Sequence, residues 1–348
     1  MAGYLCDQRF ITAHHLPAVL IDLAQDQGED LHRLLRHTGL FPEQLVRGEG
    51  RVSAHEYLQL IHNTRQRLTD PELAFRYGQR LFPGHYGAVS ALLGNAESLA
   101  EALSVFTDVP ALISPLLACR LTVTDEYLCL QWLDSCGAKA QWRFLVEAAM
   151  SGVASLTRWL SGTPLPWRFQ FSYSCPAWPE QYQVHLGEPL HFAAHMDAMI
   201  LPRHYLKEPW PQGSPTAWLA ARQQCEQLMD LVGSRYSFRH TLYQFLQTRL
   251  DQPPSLQESA AHMACSPATL KRRLSQQGCH YQQLLDEVRL HQAIHWLQFH
   301  GDSPEQICRR LNFSDPTNFR RSFKRWCGLT PSACRQSLLA TMGMKPGG

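Results

Sequence analysis

Residues 255–274 read SLQESAAHMACSPATLKRRL, and forty-eight residues further on residues 303–325 read SPEQICRRLNFSDPTNFRRSFKR. One plan underlies both. Ser255-Leu-Gln-Glu258 is a capping box, the Ser hydroxyl accepting from the backbone N–H three residues on while the Glu side chain reaches back, and it opens a short helix to Met263. Met263 to Ser266 then turn the chain. Ser266-Pro267 is an N-cap followed by a proline at the first helical position, where a missing N–H costs nothing. The next helix carries Thr269, Lys271, Arg272 and Arg273 around the apolar pair Leu270 and Leu274. In the second copy a short helix runs from Ser303 to Leu311, Asn312-Phe313 turns, and Phe319 and Phe323 form the inward pair among Arg320, Arg321, Lys324 and Arg325. A short helix, a tight turn and a helix with basic residues outside a buried i, i+4 pair is the geometry that lays a second helix in a major groove.

The two units therefore span 255–275 and 303–326. Between them Tyr281 to Phe299 reads as one helix, with Leu284, Leu285, Val288, Leu290, Ile294 and Leu297 apolar. About nineteen residues at 1.5 Å rise give roughly 28 Å, near the approximately 34 Å of one DNA turn. Both recognition helices are thus expected in successive major grooves of one duplex without dimerisation. Charge agrees with this placement. From Asp251 onward twelve Lys and Arg face seven Asp and Glu, whereas residues 1–250 hold twenty against twenty-three. Only the C-terminal part is expected to meet a polyanion.

At 348 residues and 45% apolar the chain has material for two domains. The nearest approach to a long apolar run, Val109 to Leu121, is interrupted by Ser114 and Pro115, so no membrane span is expected. Asp7, Arg9, His14 and His15 stand where a secretory signal needs apolar residues, which points to the cytoplasm. Eleven cysteines without a C-x-x-C pair read as reduced, mostly buried thiols.

The N-terminal eighty residues read as short helices, with Leu16, Leu20 and Leu23 on one face and Ser53 capping a segment through Leu58 and Ile61. Leu121-Thr-Val-Thr and Tyr127-Leu-Cys-Leu-Gln-Trp read as a hairpin around Asp125-Glu126, Gln141 to Leu160 as an amphipathic helix, and Trp167 to Tyr173 as a strand. Further short strands are expected at Leu190 to Phe192 and Ala198 to Leu201. Pro209, Pro211, Gly213 and Pro215 punctuate the chain before a helix over Thr216 to Met229. The expected organisation is an α+β sensor domain over 1–215, a linker over 216–235, and an all-α domain over 236–340 whose two helix-turn-helix units are joined by a helix.

Ser266-Pro-Ala-Thr-Leu-Lys-Arg-Arg-Leu274, Leu285-Asp-Glu-Val-Arg289, Leu311-Asn-Phe-Ser-Asp315, Phe319-Arg-Arg-Ser-Phe-Lys-Arg-Trp326 and Gly328-Leu-Thr-Pro-Ser332 together resemble the DNA-binding domain of AraC/XylS-type transcription regulators. More weakly, Asp70-Pro71-Glu-Leu, His85-Tyr-Gly87 and Gly187-Glu-Pro-Leu-His-Phe192 resemble the arabinose-binding-like effector half of the subgroup that includes ornithine-utilisation regulators. The sequence departs from the family at Ala264 and Asn312, where the turns usually hold glycine, and at Cys334, where an aromatic is usual. The resemblance implies base reading by Ala268, Lys271 and Arg272 in the first unit and by Thr317, Asn318, Arg320 and Arg321 in the second. Arg and Lys can bridge guanine O6 and N7, Asn can pair with adenine, and Thr or Ala can touch a thymine methyl. Ser266, Ser314 and Lys324 are better placed for phosphates, which set register. The resemblance further implies double-stranded DNA and RNA polymerase as partners, a small-molecule effector of unidentified kind, compatibility with a homodimer, and activation rather than repression.

Other patterns in the sequence carry less. His191 and His195, and His291 and His295, have i, i+4 spacing that can bind zinc on a helix, but no third ligand is near. Gly84-His-Tyr-Gly87 lacks the rest of a phosphate loop and reads as a tight turn. No nucleophile–base arrangement appears, so no catalytic residue, metal or cofactor is expected. Trp132, Trp142, Trp159 and Trp167 read as core. The rival reading is an enzyme, DNA-modifying or metabolic, fused to a helix-turn-helix tail, and it requires a reactive cluster before residue 215. A non-specific architectural protein would need basic charge spread over the whole chain.

Overall fold

The computed structural model describes residues 3–342. Helices α1 (Leu16–Gln25), α2 (Ala54–Arg67), α3 (Leu73–Leu81), α4 (Ala88–Gly94) and α5 (Leu99–Asp108) build the first layer. Ser53 and Glu56 close a reciprocal cap at the start of α2, at 3.3 and 2.9 Å, as their three-residue spacing dictates. Helix α6 (Trp142–Ser161) packs on α3. Their approach depends on Gly78, where an added Cβ would lie 2.1 Å from the Ala148 carbonyl oxygen.

A five-stranded sheet follows. Its strands are β1 (Leu117–Val123), β2 (Tyr127–Asp134), β3 (Arg168–Gln170), β4 (Leu190–His191) and β5 (Ala198–Pro202), in the order β1-β2-β5-β3-β4. The pairs are antiparallel except β3 with β4. The hairpin lies where the sequence places it, although β1 begins at Leu117 and β3 is shorter than Trp167 to Tyr173.

Strand β2, inside the sheet between β1 and β5, is buried on both faces. Leu128, Leu130 and Trp132 enter the first core with the helices named above, whereas Cys129 and Leu133, with Ala198 and Ile200 of β5, belong to a second core built with the C-terminal helices. Two-sided burial explains why this strand reads as a nearly continuous apolar run rather than an alternating one.

The segment expected as a linker folds as α7 (Pro215–Val232), and its buried Ala221, Cys225, Met229 and Val232 join the first core against α4. The second core opens with α8 (Phe238–Gln247). The C-terminal helices are α9 (Leu256–His262), α10 (Pro267–Gln276), α11 (Tyr281–His295), α12 (Pro304–Arg310), α13 (Pro316–Cys327) and α14 (Pro331–Met342). The rod expected over Tyr281 to Phe299 is continuous, but its last turn, Trp296–His300, is π-helical. That wider turn brings consecutive Leu297 and Gln298 inside.

Two smaller expectations change. Trp132 and Trp167 are core, but Trp159 near the end of α6 is 48% exposed and meets Phe82 in a T-shaped contact. His191 ends β4 while His195 lies in the following loop, so that pair shares no regular element. Among the described residues no group of three or more His, Cys, Asp or Glu is placed to hold a metal ion, and no helix is long and apolar enough to cross a membrane.

Candidate nucleic-acid interface

The two helix-turn-helix units are alike in their hydrogen bonds as well as their sequence. Helix α9 ends with Ala264 N–H donating to Ala261 O and Cys265 N–H to Ala260 O, and α12 ends with Asn312 N–H donating to Arg309 O and Phe313 N–H to Cys308 O. Both are the paired bonds of a helix end closed by a left-handed residue. That residue is Ala264 at φ 49° and Asn312 at φ 55°, the two positions where the sequence departs from glycine. Ala in this conformation costs on the order of 1 kcal/mol, while Asn tolerates it better.

Recognition helices α10 and α13 then start on different caps. Ser266 Oγ accepts from Thr269 N–H at 3.1 Å. In the second unit Asp315, not Ser314, is the cap, and its carboxylate accepts from Thr317 N–H at 3.0 Å and Asn318 N–H at 3.3 Å. Ser314 stands one residue before that cap. The carboxylate occupies two N-terminal donors and brings negative charge to the helix end, so the two units present different surfaces there. Those N–H donors hold the Asp315 carboxyl below its ordinary range.

Inward, Leu270 and Leu274 of α10 and Phe319 and Phe323 of α13 are fully buried. Outward, Ser266, Ala268, Lys271, Arg272, Ser314, Thr317, Asn318, Arg320, Arg321 and Lys324 are all exposed. Every residue singled out from sequence is thus on the surface, on or just before two helices held by the intervening α11, whose fifteen α-helical residues rise about 22 Å. Arg320 is engaged with Glu305 of α12 at 3.0 Å, both side chains being more than half exposed. An exposed pair of this kind is worth ~0–1 kcal/mol, so a base or phosphate can displace it.

What sequence reasoning missed is the support behind these heads. Arg239 of α8 bridges Asp134 at the end of β2, at 2.7 Å, and Glu287 of α11, at 2.6 Å. Gly137 in the loop after β2 lies so close to α10 that an added Cβ would sit 2.4 Å from Gln277 O. Reciprocally, a Cβ on Gly278 would lie 2.1 Å from Lys139 Cε. Arg273 of α10 stacks over Phe238 of α8 at 4.8 Å. The sheet layer, the first helix-turn-helix unit and the joining helix therefore form one packed assembly. Glycines at 137 and 278 were the local hints.

Paired, exposed basic helices on a helical domain docked to an α+β domain define a two-headed helix-turn-helix DNA-binding protein. Comparison with known proteins makes this specific. The model of the arabinose-binding domain of the AraC transcription regulator, N-terminal, matches residues 28–210, and a helix-turn-helix domain model matches residues 259–337. The chain belongs to the AraC family of transcription regulators. It is 27% identical over 319 residues to the ornithine utilization regulator of Pseudomonas aeruginosa, covering 91% of this chain and 94% of that one. It is 31% identical over 105 residues to the urease operon transcriptional activator of Escherichia coli, covering 29% of this chain and 36% of that one. Among solved structures, the transcriptional regulator CdpR from Pseudomonas aeruginosa covers 92% of this chain and 97% of its own, at 19% identity and a TM-score of 0.44.

Proposed function

We propose that this chain is an effector-responsive transcription activator that reads two adjacent major-groove segments of one DNA face. In this reading Ala268, Lys271, Arg272, Thr317, Asn318, Arg320 and Arg321 contact base edges, while Ser266, Ser314 and Lys324 contact phosphates. Residues 1–215 sense a small molecule in the cytoplasm, and the DNA-bound form recruits RNA polymerase. The observation that carries the reading is the simultaneous exposure of all ten residues on or just before paired helices whose inward pairs, Leu270 with Leu274 and Phe319 with Phe323, are completely buried. The matched families and the names of the relatives support a regulator over an enzyme with a helix-turn-helix tail, and the urease relative's name supports activation.

Selection of DNA sequences from a random pool, followed by gel shifts, tests the assignment. Arg272→Ala and Arg321→Ala should each lose about 1–3 kcal/mol of discrimination, roughly 5- to 150-fold, at one base position. Lys324→Ala should weaken all sequences alike and lower the salt slope by about 1. Variants that discriminate like the parent would remove base reading from those arginines. A promoter fusion that rises with the protein supports activation, and one that falls overturns it.

A further inference from the structure

The sheet face that carries Cys129, Gln131 and Leu133 does not close completely on the C-terminal helices. Between them lies a cavity of about 470 Å³, bounded by β2, by the loop through His195 and Asp197, by Arg239 of α8, by Glu287 and His291 of α11 and by Trp326 near the end of α13. This is within the ~300–1,000 Å³ usual for small-molecule sites.

Its polar lining is under-satisfied. Gln131 is 5% exposed and points to the same side as Cys129 and Leu133 of the second core, yet its amide joins none of the hydrogen bonds formed among the described residues. On other lining residues, Arg239 Nε, His195 Nε2 and Trp326 Nε1 are buried without a partner. A buried group left unpaired costs roughly 1–3 kcal/mol, and three of them belong to residues that line this cavity beside the unengaged Gln131 amide, which points to a bound molecule.

Charge indicates which kind. Asp134, Asp197 and Glu287 line the cavity with a single guanidinium, Arg239, which is committed to Asp134 and Glu287. Asp197, 4% exposed, accepts only neutral donors: the N–H and hydroxyl of Ser172, at 2.8 and 2.7 Å, and the Trp142 indole N–H at 2.9 Å. Burial pushes the Asp197 and Glu287 carboxyls up, and it drives His195 and His291 towards their neutral forms. Arg120, opposite Gln131 in the β1–β2 register, donates to Gln292 of α11 and is not part of the lining. The indoles of Trp142 and Trp326 complete a surface suited to a cation.

We propose that this interdomain cavity is the effector site and that it takes a small organic cation, its ammonium held by the carboxylates of Asp197 and Glu287 and its polar substituents by Gln131 and His195. The proposal rests on the reading of the chain as an effector-responsive regulator. A ligand there touches the sheet, the joining helix α11 and the second recognition helix α13 at once, so it biases their docking directly.

The test uses the full-length protein with 1,4-diaminobutane as probe and 1,4-butanediol and succinate as neutral and anionic controls, followed by melting temperature and tryptophan fluorescence. The diamine should raise the melting temperature saturably while the controls do not. Asp197→Asn should weaken the diamine about tenfold or more. Gln131→Lys, which carries its own ammonium into the cavity, should melt above the parent and no longer respond. Gel shifts without amine separate the two readings. A parent that binds no DNA sequence selectively overturns the regulator. Selective DNA binding combined with no diamine response, a response matched by the diol, or a response unchanged in a folded variant overturns the cavity assignment.

Discussion

Ala264 holds a left-handed conformation that a Cβ resists, with φ 49° at an exposed turn. Ala264→Gly removes that strain at the cost of a more flexible unfolded chain, so a gain of up to about 1 kcal/mol is expected in urea unfolding. Asn312→Gly should gain less, because Asn accepts φ 55° more readily. No gain at 264 would show that the turn has relaxed around alanine. Arg239 is the opposite kind of residue, set by distant partners. Arg239→Ala leaves the carboxylates of Asp134 and Glu287 facing each other without a cation, and a loss of about 3–5 kcal/mol is expected by chemical denaturation. Arg239→Met together with Asp134→Asn and Glu287→Gln should recover much of it, since removing all three charges removes the imbalance.

At the scale of elements, the seam between α8 and α11 is sensitive to acid. Burial, with the neighbouring Arg239 charge, drives His240 down to about 4, and burial with Arg120 and Arg239 drives His291 to about 3. Both values lie below the ordinary ~6.5 of an unfolded histidine, so the unfolded chain takes up protons first as pH falls. The stabilisation is complete above about pH 6.5 and is lost progressively below it, down to about pH 4 for His240 and about pH 3 for His291. The expected slope approaches about 1.4 kcal/mol per pH unit for each ring. Urea unfolding at pH 7 and pH 5 measures it, and His291→Gln, which keeps a partner for the Tyr243 hydroxyl now 3.0 Å from His291 Nδ1, should flatten it. An unchanged slope would place the titration elsewhere. The helices themselves were legible: caps at Ser53, Ser255, Ser266 and Ser303 lie where their spacing puts them. The cap of α13 was less so, because Ser314 and Asp315 are adjacent and both suit the role.

For the whole molecule, the sheet is shared by two cores, and the loop after β2 is fitted against the end of α10. Gly137→Val adds a branched side chain at φ 77°, directly against the Gln277 backbone. It should loosen the first helix-turn-helix unit from the sheet layer without unfolding either core. Limited proteolysis should then cut between residues 135 and 139 or near 277 faster than in the parent, with the remaining fragments still folded. Equal protection would mean that the contact is incidental.

Sequence alone determined the double helix-turn-helix, its inward pairs, its exposed basic residues and the β1–β2 hairpin, because those features rest on contacts within about four residues or on one periodicity. Tertiary structure alone decided that β2 is buried on both faces, that the supposed linker packs on the first core, and that Asp134, Arg239 and Glu287 meet. Arg239 is 105 residues from Asp134, and Arg120 is 172 from the Gln292 it binds. Pairings across such separations leave no local pattern. They exist only once two hydrophobic cores have closed on opposite faces of one sheet and brought the polar groups between them out of water.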